Sequence, residues 1–157
     1  MNDGIRELYQ EVILDHGTHP RNVSVPEHAN RTGSGYNPLC GDQVTVDLRL
    51  EGQVVQEIGC HGQGCAICTA AGSTMTEVVK GKRVDEIRRL FADYRALVTG
   101  QAGTEVRADL GKLAVFAGVA AFPMRVKCAT LPWHTLEAAL EQNDEVATSE
   151  EDGNGRA

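Results

Sequence analysis

The chain has 157 residues, enough for one ordinary domain with its own core, and 41% of them are hydrophobic, which excludes a wholly disordered protein. The net charge is −7, from 15 basic and 22 acidic residues, and Lys and Arg occur in no run longer than pairs such as Lys82-Arg83 and Arg88-Arg89, so nucleic acid is a poor candidate partner. No apolar run approaches the length of a membrane span and Met1–Gly17 carries charges throughout, so the reading is a cytoplasmic chain without a targeting segment or a membrane partner.

Ile5, Leu8, Tyr9, Val12, Ile13 and His16 recur at helical spacing and predict an amphipathic helix ending near Gly17. The stretch Asn22–Pro38, rich in Asn, Gly and Pro, reads as a loop. Val44, Val46, Leu48 and Leu50 then alternate with polar residues as a half-buried strand does, Gly52-Gln53 forms a turn, and Val54–Cys60 returns as a second strand. From Cys65 the spacing of Ile67, Ala70, Ala71, Met75, Val78 and Val79 predicts a helix stopped by Gly81, and Val84, Ile87, Phe91, Tyr94 and Val98 predict another closed by Gly100. Leu110–Phe122 reads as a buried helix interrupted by Pro123, and Trp133–Leu140 as a last amphipathic helix. Asn143–Ala157, with a net charge of −4 and no large apolar residue but Val146, reads as an acidic disordered tail on a domain of residues 1–142. The predicted class is α+β, a small antiparallel sheet packed against several helices.

Five cysteines, Cys40, Cys60, Cys65, Cys68 and Cys128, are an odd number in a chain with no secretion signal, which favours metal binding or thiol chemistry over a disulfide framework. In Cys40-Gly41-Asp42, extending the strand's parity backwards places Cys40 and Asp42 on the face of Val44 and Val46. A carboxylate on a buried face is costly unless paired or bound to a cation. The alternative is a strand beginning at Gln43, with Asp42 capping a turn. Cys65 falls at a helix start, where the dipole favours thiolate. Cys65 and Cys68 form one C-x-x-C pair with no second pair downstream, and for Cys60 and Cys68 a small core hydrophobe is the blander role. A tetrahedral site could use Cys40, Asp42, Cys65 and Cys128, or a set containing Cys60, Cys68 or His61; spacing does not choose between them. A carboxylate among the ligands hints at zinc, since iron–sulfur ligation usually prefers all-cysteine. His16, His19, His28 and His134 have no partner at ligand spacing and read as surface or capping residues. Gly33-Ser34-Gly35 precedes no helix and no G-x-S-x-G occurs, so neither a phosphate loop nor a serine nucleophile motif is present.

The ordered set Tyr9…Asp15-His16…Pro20-Arg21-Asn22, Asn37-Pro38-Leu39-Cys40-Gly41-Asp42, Gly62-Gln63-Gly64-Cys65-Ala66-Ile67 and Arg125-Val126-Lys127-Cys128-Ala129 resembles the IscU-like iron–sulfur assembly family, the family of the NifU N-terminal domain, from about Ile5 to Leu140. Within it, the chain looks most like the SufU type, because Lys127 precedes the last cysteine where IscU scaffolds carry histidine and because a helical segment around Lys82–Gly103 is the kind of insertion that marks that type. The resemblance implies that Cys40, Asp42, Cys65 and Cys128 hold one zinc ion. It further implies a sulfurtransferase that takes persulfide sulfur from a SufS-like, pyridoxal-phosphate-dependent cysteine desulfurase and serves downstream Suf assembly components. By this mapping Cys40 is the acceptor, freed when a desulfurase side chain replaces it at zinc, and Arg125 assists the exchange. The alternative is a scaffold holding a transient iron–sulfur cluster. A purely structural zinc module is disfavoured by Asp42, because closed sites are typically built from Cys and His. Cys60 and Cys68 depart from the SufU pattern, and Cys68, three residues after Cys65, is a candidate alternative relay or ligand.

Overall fold

The computed structural model describes residues 3–101 and 110–141; the acidic stretch Asn143–Ala157 lies outside them. Helix α1 (Asp3–Thr18) is followed by strands β1 (Arg31–Asn37), β2 (Asp42–Glu51) and β3 (Val54–Gln63). Helices α2 (Ala66–Val79) and α3 (Val84–Val98), a 3₁₀ segment (Gly111–Ala121) and helix α4 (Pro123–Glu141) complete the chain. The strands form one antiparallel sheet in the order β1-β2-β3. Helix α4 lies across β1 and β2, α2 packs between β3, α1 and α4, and α3 covers the 3₁₀ segment and the back of α4. The expected α+β class, a small antiparallel sheet under several helices, is what the chain adopts. Among the described residues no helix is long and apolar enough to cross a membrane.

Strand β2 buries alternate residues, Asp42, Val44, Val46 and Leu48, against the helices. Burying each aliphatic side chain contributes about 1.5–3 kcal/mol. The strand begins at Asp42, so the aspartate is a strand residue on the core face and not the cap of a turn before Gln43. The two-residue connection at Gly52-Gln53 is as expected, and β3 runs past Cys60 to Gln63 before the chain enters α2.

Three segments differ from the sequence expectation. Residues Arg31–Asn37, inside the stretch read as a loop, form β1. Its inward positions are Gly33, Gly35 and Asn37, with no apolar side chain to signal a strand. The glycines are there because α4 comes too close for anything larger: a Cβ on Gly33 would lie 2.5 Å from the Thr135 carbonyl oxygen, and one on Gly35 would overlap the Thr135 hydroxyl. Helix α4 begins at Pro123 instead of Trp133 and runs through Pro132. Proline is tolerated in a first turn, whereas Pro132 removes the N–H that would reach the Cys128 carbonyl. Tertiary packing overrides that loss: from Cys128 to Leu140 nearly every side chain is buried, and the Tyr94 hydroxyl of α3 donates to the Ala129 carbonyl at 2.9 Å. The segment before it is wound as 3₁₀ helix, matching the burial of Leu110, Leu113, Phe116 and Val119 at intervals of three.

His16 is buried instead of lying at the surface. The Ser73 hydroxyl accepts the Arg21 amide N–H at 2.9 Å and shares a hydrogen bond with His16 Nδ1 at 2.7 Å, while His16 Nε2 faces Glu77 Oε1 at 3.6 Å. Burial holds the imidazole below its ordinary pKa. With the 2.6 Å Arg21–Asp15 pair and the Asn22–Thr76 bond, this clasp fastens the end of α1 to α2 and absorbs the Asp15-His16…Pro20-Arg21-Asn22 motif into the fold. His19 and His28 are exposed, and His134 meets Phe91 edge-on.

The glycine rail yields a stability test. Gly33→Ala is expected to cost about 1–3 kcal/mol, the range for overpacking a fitted contact, read by denaturant unfolding. Wild-type stability in that variant would show that α4 does not need the close approach.

Candidate metal centre

Four segments from three parts of the chain meet at one end of the sheet. Cys40 stands in the β1–β2 turn, which the Gly41 N–H closes by donating to the Asn37 carbonyl at 2.8 Å. Asp42 opens β2 with 1% of its surface exposed. Cys65 is the N-cap of α2, and Cys128 lies in the second turn of α4.

The Cys40 and Cys128 sulfurs and an Asp42 carboxylate oxygen all lie within 4.8 Å of one another. The two sulfurs are 3.6 Å apart. Zinc–sulfur bonds of about 2.3 Å in a tetrahedron place two sulfurs about 3.8 Å apart, so this donor set has the spacing and chemistry of a zinc site. Cys65 stands beside the trio: its amide N–H donates to Asp42 Oδ1 at 2.9 Å, and its sulfur accepts the Cys68 N–H at 3.5 Å. Gly64 is required here, since a Cβ at that position would come within 2.9 Å of Asp42 Oδ1. The candidate ligand atoms of Cys40, Asp42 and Cys128 are thus brought together, with Cys65 at their edge.

Environment separates the five thiols. A hydrogen bond from the Cys128 thiol, joined by the Cys68 N–H at the helix N-terminus, overcomes burial and holds Cys65 down to about 6. The same bond, with burial, pushes Cys128 up. Burial pushes Cys60 up to about 12, and Cys68 is driven up by burial and by the charge of Asp42. Cys60 packs its sulfur against Gly72, and His61 faces Asp47 Oδ2 at 3.3 Å, so neither joins the trio.

Arg125, an exposed residue one turn before Cys128, hydrogen-bonds that thiol and carries a raised pKa for the same reason. Next to it an apolar cleft of about 520 Å³ opens between α1, α2 and the 3₁₀ segment. Leu39, Phe122 and Met124 are exposed by 54%, 62% and 55% around this end of the molecule. The residue that sequence reasoning missed is Asn37, which is fully buried with its side-chain nitrogen 3.4 Å from Asp42 Oδ2. Its signal was its place at the head of the motif Asn37-Pro38-Leu39-Cys40-Gly41-Asp42, in a stretch otherwise read as loop, which gave it no role of its own.

Comparison with known proteins places this arrangement. The NifU-like N-terminal domain family matches residues 8–129. The zinc-dependent sulfurtransferase SufU of Bacillus subtilis (strain 168) is 33% identical over 143 residues, which cover 91% of this chain and 96% of the relative. The iron–sulfur cluster assembly scaffold protein IscU of Streptococcus pyogenes serotype M1 is 32% identical over 139 residues, 88% of this chain and 86% of the relative. The crystal structure of a candidate scaffold protein for the SUF system from Fervidobacterium islandicum AW-1 superposes with a TM-score of 0.77 at 33% identity, covering 86% of this chain and 98% of that one. With a family match over most of its length, the same fold and a thiol–carboxylate cluster at the sheet's end, the chain belongs to the NifU-like N-terminal domain family, as one of its SufU-type, IscU-like members.

Proposed function

We propose that this protein is a zinc-dependent sulfurtransferase of iron–sulfur cluster assembly, taking persulfide sulfur from a cysteine desulfurase onto Cys40. The observation that carries the reading is the buried Asp42 carboxylate in mutual contact range with the Cys40 and Cys128 sulfurs. Cys40, Asp42, Cys65 and Cys128 would hold the ion. Bound there, zinc supplies the positive charge that keeps these thiols deprotonated and moderates their nucleophilicity.

The ligands differ in how firmly the protein holds them. Cys128 is fully buried on α4, Cys65 is anchored by the Cys68 N–H, and Asp42 receives N–H groups on both oxygens. Cys40 is half-buried in a turn, and among the described residues its sulfur has one hydrogen-bond contact, the Cys128 thiol. It is therefore the sulfur best able to turn toward a partner. In the transfer, the Cys40 thiolate attacks the terminal sulfur of the desulfurase persulfide, a new S–S bond forms on Cys40, and the desulfurase cysteine leaves as thiolate. Arg125 supplies positive charge beside the thiolates during the exchange. The exposed Leu39, Phe122 and Met124 supply the apolar rim that a protein partner would cover.

Relatives named IscU scaffolds at comparable identity keep a second reading in view, a scaffold on which a cluster is built and handed on. Lys127 in place of histidine and helix α3 support the sulfurtransferase.

Alanine substitution of Cys40, Asp42, Cys65 or Cys128 is expected to weaken zinc binding by at least roughly tenfold, measured by chelator competition and elemental analysis. Undiminished zinc in any of the four would remove that residue from the set. Anaerobic alanine release by a cognate cysteine desulfurase, given L-cysteine and reductant, should rise strongly with catalytic amounts of the zinc-loaded protein and not with Cys40→Ala. Absence of any rise would turn the assignment to the scaffold, tested next by reconstitution with iron and sulfide. Because Cys68 is buried and held as a neutral thiol, Cys68→Ser should leave the transfer rate unchanged, and a large loss would restore it as a relay.

A further inference from the structure

Asn37 has no exposed surface and lies directly across the β1–β2 register from Asp42. Its side-chain oxygen accepts the Leu39 N–H at 3.2 Å. An N–H can only donate, so this bond fixes which end of the amide faces the turn and turns the NH₂ group toward the thiols. That nitrogen lies 3.4 Å from Asp42 Oδ2 and 3.9 Å from Cys128 Sγ. One buried amide therefore reaches two of the four proposed ligands. The second Asp42 oxygen is taken by the Cys65 N–H and the Cys65 sulfur by the Cys68 N–H, which leaves Cys40 alone without an N–H donor among the described residues.

Resting on the zinc reading above, we propose that Asn37 is a positioning residue of the metal centre: its amide pins Asp42 and Cys128 together and so makes Cys40 the ligand that moves. Groups that hydrogen-bond metal ligands fix their orientation, and their removal typically weakens metal binding 10–100-fold. The β1–β2 pairing supplies the rigidity, because Asn37 ends one strand where Asp42 begins the next.

The test uses Asn37→Ser and Asn37→Ala in the full chain. Serine is too short to reach the ligands, but its hydroxyl can still accept the Leu39 N–H as in an ST turn; alanine loses both bonds. Zinc affinity is measured by competition with a chromophoric chelator, the ligand-field spectrum is recorded after cobalt substitution, and the metal-free proteins are compared at a temperature where all are folded. Both variants are expected to bind zinc about 10–100-fold more weakly than wild type, with cobalt bands shifted or reduced. Asn37→Ser binding zinc as wild type does, or binding weakly with an unchanged cobalt spectrum, would overturn the role, since either means that the ligand geometry does not depend on the amide. Weakening in Asn37→Ala alone would assign the effect to the Leu39 cap and equally overturn it. Wild-type protein that binds no zinc would instead sink the zinc reading itself, and this inference with it.

Discussion

A carboxylate buried to 1% exposure beside two thiols is the constraint on which the arrangement of this protein turns. Left alone in a low-dielectric site, the Asp42 charge would cost several kcal/mol. Two N–H groups from separate elements, the Asn37 amide and the Cys65 backbone, reach its two oxygens. Those bonds tie the end of β1 and the start of α2 to the start of β2. A cation among Cys40, Asp42 and Cys128 would complete the compensation, which is why the same residues that look unfavourable as a core look favourable as a metal centre.

Delivering Cys128 to that place is the task of α4. The helix settles onto the glycines of β1 at a distance no side chain would permit, and the same inward row of β1 continues as Asn37. Two glycines set the depth of the helix and the third residue meets the thiol–carboxylate cluster. Helix α3 braces α4 from behind, where the Tyr94 hydroxyl reaches the carbonyl next to Cys128. The segment that helps to mark the SufU type therefore supports the turn carrying one of the proposed ligands.

The five cysteines show how environment assigns chemistry to identical side chains. A helix N-terminus and a donating neighbour hold the Cys65 thiol below its ordinary pKa. Packing against Gly72 keeps Cys60 protonated, and burial near Asp42 does the same for Cys68. Cys40 stands half-buried in the β1–β2 turn, and among the described residues the Cys128 thiol is its sulfur's one hydrogen-bond contact. Cys68 is buried in the core and Cys60 packs against it partly buried.

Local periodicity was enough to read the β2–β3 hairpin and α3, because each exposes one face and buries another, while α1 and the almost wholly buried α2 were legible from apolar spacing and from the glycine near each helix end. Parity along β2 offered the core face for Asp42 but left a turn cap open, and the start of the strand at Asp42 decided between them. Strand β1 was illegible because its buried face is glycine, and α4 because burial on nearly every side erases the amphipathic stripe while Pro132 imitates a break. His16 read as a surface or capping residue and Asn37 as a motif residue without a role of its own, until α2 and β2 were placed beside them. Strand parity and helix stops are properties of adjacent residues and can be read from order alone. Which cysteine meets which could be settled only by packing, since Cys40 and Cys128 lie 88 residues apart in sequence and 3.6 Å apart in space.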